Sequence, residues 1–60
     1  MSKASIVLAE TAIQRLQDAA AARDKEHAHA AADDALCKLL VGLGYEDVVE
    51  EYMKVGKWYA

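Results

Sequence analysis

Sixty residues carry ten acidic and seven basic side chains, a net charge of −3, and the basic ones are scattered, so the concentrated positive footprint of a nucleic-acid binder is missing. A single cysteine, Cys37, excludes an intramolecular disulfide scaffold. No apolar run approaches the roughly 18 to 20 residues of a membrane span, and no basic segment leads into an apolar core at the N-terminus, so the expectation is a cytoplasmic protein that neither enters membranes nor binds nucleic acid.

A chain this short forms one domain, 1–60, and buries only about 60% of the surface its unfolded form exposes. Much of its apolar content is alanine, which adds little area to a core, and Phe is absent. With no disulfide available, a metal or a second copy of the chain is the expected source of extra stability. Facing alanines would let helix backbones approach closely.

There is no Pro, and the three Gly all lie at or beyond Gly42, so everything before that point reads as helix. Ile6, Ala9, Ile13, Leu16 and Ala20 recur at three-and-four spacing and predict helix 1 over about 4–22. Glu10, Gln14, Arg15, Gln17 and Asp18 fill the rest of its wheel. Ser2 or Ser5 can cap it by accepting from a free backbone N–H of the first turn.

Ala28, Ala32, Leu36, Leu39, Leu40 and Leu43 form a second stripe, over about 25–42, with Gly44 where a left-handed C-terminal cap belongs. Alanine-rich segments on both sides of Arg23 would allow one continuous rod. Phase argues against it: at about 100° per residue the two stripes point in nearly opposite directions. A reversal at Arg23 to Lys25, with Asp24 capping the second helix, brings both apolar faces together. The continuous rod would instead require a swapped dimer.

A third, short helix over about 45–55 follows, with Tyr45, Val48, Val49, Tyr52, Met53 and Val55 on one face and Glu46, Asp47, Glu50, Glu51 and Lys54 on the other. The expected fold is therefore all-α: two long antiparallel helices and a short C-terminal one, assembling as a helical homo-oligomer.

Polar interest concentrates between Asp24 and Asp34. On the wheel of helix 2, His29 falls inside the leucine arc, Glu26 and Asp33 lie at its margin, and His27 points away. Glu26 and His29 have the Glu-x-x-His spacing that projects two metal ligands from one helix, and Asp33 lies one turn beyond. Glu26, His29 and Asp33 are thus candidate ligands for a divalent metal, the one cofactor the chain could take. The alternative is a partly buried imidazole that pairs with Asp33 and orders helix packing. Cys37 reads as a small apolar filler on the same side as Asp33. Asp47, Glu50 and Glu51 project opposite Val48 and Tyr52 and read as a solvated face. Nucleophile triads, glycine-rich phosphate loops and Cys-x-x-Cys pairs are absent. Tyr52, Trp58 and Tyr59 are candidate partner-binding residues, because exposed aromatics dominate interface energetics; the alternative is that Trp58 folds back over the corner between helices 2 and 3 and finishes the core.

Asp24, Glu26, Ala28, His29, Ala32, Asp33, Leu36 and Cys37, followed by Leu43, Gly44, Tyr45, Val49, Tyr52 and the Lys57-Trp58-Tyr59-Ala60 ending, resemble the C-terminal halves of small phage and prophage proteins. Helix 1 has no part in the resemblance. Members often place Pro after the matching Asp, which suits a helix start at Asp24; in this chain Lys25 follows. The resemblance implies a phage-encoded protein acting in the host cytoplasm and brings no activity with it.

The function expected from these readings is a non-enzymatic accessory protein that oligomerises and binds a host protein or a small signalling ligand, of the counter-defence or host-takeover type. Two alternatives are a metal-dependent phosphohydrolase using Glu26, His29 and Asp33, and a purely structural assembly module.

Overall fold

A computed structural model describes residues 2–55 and contains three helices: α1 (Lys3–Ala21), α2 (Lys25–Gly42) and α3 (Glu46–Met53). Each boundary has a local cause. Ser2 is the N-cap of α1, its hydroxyl accepting from the Ser5 N–H at 3.1 Å. The chain leaves α1 through Ala22, whose backbone is extended (ψ 143°), and bends at Arg23. Asp24 then caps α2: its carboxylate accepts from the Glu26 N–H at 3.1 Å and the His27 N–H at 3.3 Å. The predicted reversal and its cap are both present.

At the far end of α2, Gly44 takes a φ of 93°, the left-handed conformation that a side chain penalises. Its N–H reaches back to the Val41 carbonyl at 3.0 Å and the Tyr45 N–H to the Leu40 carbonyl at 2.8 Å. That pair of bonds is a Schellman cap, which satisfies carbonyls the helix leaves open. The short third helix is present as expected, α3 running from Glu46 to Met53 within the expected 45–55, with Lys54 and Val55 in a turn.

α1 and α2 pack antiparallel. The Leu8 end of α1 meets the Gly42 end of α2, and Ala19 and Ala22 lie with Ala28 and Ala31 at the other end. Of the predicted stripes only Ala28 is among the residues buried where the helices meet. The buried positions are Ala12 and Ala19 on α1 and Ala28 and Ala35 on α2. These recur every seven residues, and Ser5 and Gly42 extend the two series. A seven-residue repeat keeps one seam of a helix on its neighbour, and small side chains there let the backbones close in, as the alanine content suggested. Ile6, Ile13 and Ala20, expected to face α2, are exposed, as is Leu36 on α2. Large aliphatic groups in the seam would hold the axes apart, so the helices turn their smallest residues inward and carry the larger ones on their flank.

α2 lies in the middle. It packs against α1 on one side and α3 on the other, while α1 and α3 do not meet among the described residues. The Cα extents are 36 × 27 × 9 Å; a helix's Cα cylinder is about 4.6 Å across and packed helix axes lie about 8–10 Å apart, so two stacked layers would need more than this thickness and the fold is a single layer one helix thick.

Candidate functional site

The two sides of this layer differ. On one side, the crevice between α1 and α2 opens into a depression of about 320 Å³ lined by Arg15, Asp18, Ala19, Ala22, His27, Ala28, Ala31 and Asp34. Alanines form its floor because the seam beneath is alanine. Charged groups form its rim because they occupy the next positions around each wheel. Gln14 donates to the Asp18 carboxylate at 3.1 Å, and Lys38 pairs with Asp34 at 3.1 Å. A second, smaller depression continues along the same crevice between Leu8, Thr11, Ala12 and Arg15 of α1 and Ala35, Lys38 and Leu39 of α2. A guanidinium, an imidazole and two carboxylates around an open apolar floor can hold a small polar molecule or an extended peptide through hydrogen bonds and ion pairs. Exposed pairs of this kind individually contribute little, about 0–1 kcal/mol.

The other side is apolar. At about 100° per residue, Ile6, Ala9, Ile13 and Ala20 lie about 60° to 120° around α1 from its seam, and Ala32, Leu36 and Leu43 lie about 60° to 100° around α2 from its own, while Leu16 and Leu39 lie close to the seam, Leu39 also lining the smaller depression. In an antiparallel pair these displacements fall on the same side. Most of the two predicted stripes thus lies side by side on one side of the layer and not face to face, with Ala28 in the seam itself.

The same rotation moves the histidines. His27, expected to point away, lines the polar depression next to Ala28, and His29, expected within a buried leucine arc, is exposed. Glu26 is exposed and Asp33 half-buried. Among the described residues, no group of three or more His, Cys, Asp and Glu side chains is placed to hold a metal ion, so the geometry gives the Glu26, His29 and Asp33 constellation no support. Cys37 is half-buried on α2, in keeping with a filler.

α3 presents its predicted acidic face to solvent, with Lys54 paired to Glu51 at 2.6 Å. Its apolar face is also largely open: Val49 alone is half-buried, while Tyr45, Val48, Tyr52 and Met53 are exposed. Tyr52, at 47% exposure, is the one proposed partner-binding residue within the described region; Trp58 and Tyr59 lie outside the described residues. The depression was missed in the sequence because its lining follows the alanine heptad, which hydrophobic periodicity weighted toward Ile and Leu does not reveal.

No described helix is long and apolar enough to cross a membrane. The fold and these surfaces define an all-α, single-layer helical protein with one polar and one apolar side. No family model, curated protein or solved structure matches this chain.

Proposed function

We propose that this chain is a self-associating, non-enzymatic binding protein of the phage accessory type, acting in the host cytoplasm on a host protein or a small ligand. The observation that carries this reading is the flat layer, in which no described residue larger than alanine is buried. A compact monomer of 6.5 kDa would expose about 3,800 Å²; this chain exposes 4805 Å². Methyl-sized burial is small next to the conformational entropy of ordering the chain, about 1–2 kcal/mol per residue for the backbone alone. Association supplies the missing burial, and the polar depression and the flank of α3 around Tyr52 then offer surfaces for a further partner.

Sedimentation equilibrium of the purified protein tests the reading. The expected mass at micromolar concentration is at least twice that of one chain, and a folded single chain under those conditions would overturn it. Affinity capture from host extract, with proteins and small molecules both identified by mass spectrometry, would then name the partner.

A further inference from the structure

Resting on the self-association just proposed, we infer that the apolar side of the α1/α2 layer is the dimer interface, and that a second copy of this chain seats on it face to face. The core of that interface is Ile6 and Ile13 from α1 and Leu36 and Leu43 from α2, which are 46%, 54%, 46% and 38% exposed. Four aliphatic side chains this large, side by side on two packed helices, are open to water.

The opposite side is distinguished by residue type. Arg15, Asp18, His27 and Asp34 share the polar depression, and they sit about 140° to 180° around their helices from Ile13 and Leu36. One side of the layer therefore carries these four charged or polar groups and the other carries Ile6, Ile13, Leu36 and Leu43, while Val7 and Val41, 58% and 45% exposed, lie on the polar side.

Three features make the occupant a second copy. The first is size: the whole layer, α3 included, has an outline of only about 970 Å², so reaching the roughly 800 Å² per partner of a stable interface takes an occupant as broad as the layer itself. The second is charge. Between its Ile6/Leu43 and Ile13/Leu36 positions the apolar side has no Asp, Glu, Lys or Arg, and Lys25 lies on that side only at the start of α2, so two identical copies with a net charge of −3 each meet without like charges opposed across the patch. The third is shape: two layers stacked on this side enclose the large side chains between two α1/α2 pairs, the arrangement of a four-helix core that one layer lacks. A two-fold axis satisfies such a self-complementary patch, and it leaves both polar depressions facing outward.

The test compares single substitutions on the two sides by analytical ultracentrifugation. Ile13→Glu and Leu36→Glu, each placing a carboxylate in the buried patch, weaken dimerisation by more than about 100-fold; Thr11→Glu, in the polar crevice, leaves it unchanged. Because a chain unable to pair can also unfold, a second measurement keeps the fold intact. In a Cys37→Ser background, a flexible bis-maleimide cross-linker joins Ile13→Cys chains in pairs, and it does not join Thr11→Cys chains. A wild-type dimer that survives both glutamates but dissociates on Met53→Glu would assign the interface to α3 and overturn this inference alone. A wild-type monomer would overturn the proposed function together with it. Equal cross-linking from Thr11→Cys and Ile13→Cys would also contradict the assignment of sides.

Discussion

The Leu8 side chain occupies the space that a β-carbon on Gly42 would need: a methyl built there would lie 2.8 Å from both Leu8 methyl carbons. This contact closes the open end of the α1/α2 pair. Glycine inside a helix costs up to about 1 kcal/mol relative to alanine, so Gly42→Ala should stabilise α2 wherever room exists. In the native chain the new methyl displaces Leu8 and most of that gain is lost. In a Leu8→Ala background the room is free and the gain returns, giving a coupling of about 0.5–1 kcal/mol between the two sites. Denaturant unfolding of the four proteins in the cycle measures it; strict additivity would mean that Leu8 does not rest on Gly42.

Gly44 makes a different prediction because its constraint is backbone and not space. Nothing lies within 4 Å of a β-carbon there, but φ is 93°. Gly44→Ala should therefore destabilise by about 1 kcal/mol through left-handed strain, and Gly44→Asn by less. Equal stability of the alanine variant and the native chain, read from thermal melts, would show that the Schellman cap does not form.

Asp24 fixes the turn between the long helices by accepting from two backbone N–H groups. Asp24→Ala leaves both donors without that partner and should cost about 1 kcal/mol. Asp24→Asn and Asp24→Ser, which retain a side-chain acceptor, should recover most of the loss. If all three substitutions were equivalent, capping would not be what starts α2.

Ala35, 2% exposed, is the most buried residue in the seam. Ala35→Leu forces an isobutyl group between backbones that meet across methyls, and a cost of about 1–3 kcal/mol or more follows from overpacking. Ala35→Gly should cost about 1 kcal/mol through helix propensity alone. Circular dichroism during urea titration separates them: the leucine variant must be the less stable, and the reverse order would place Ala35 outside the seam.

These contrasts also show what was legible in the sequence. Helix number and the reversal at Arg23 could be read because caps are local: Ser2, Asp24 and Gly44 act within one turn of themselves. Helix rotation could not be read from Ile and Leu periodicity. Periodicity locates a stripe but does not say whether that stripe meets the next helix or flanks the contact, and in this chain Ala12, Ala19, Ala28 and Ala35 won the seam. Their seven-residue spacing was the available signal. The same rotation of about a quarter turn exchanged the roles of His27 and His29 and left Glu26, His29 and Asp33 without a ligand-holding arrangement.

Dependence of the fold on a second copy is tested most directly by the midpoint of thermal unfolding, followed by helical circular dichroism across a wide dilution series. If the layer needs its partner, mass action requires the midpoint to rise with protein concentration, and the rise should disappear in Ile13→Glu. A midpoint independent of concentration in a cooperative transition would mean that one helical layer is sufficient by itself, and self-association would no longer explain how this chain stays folded.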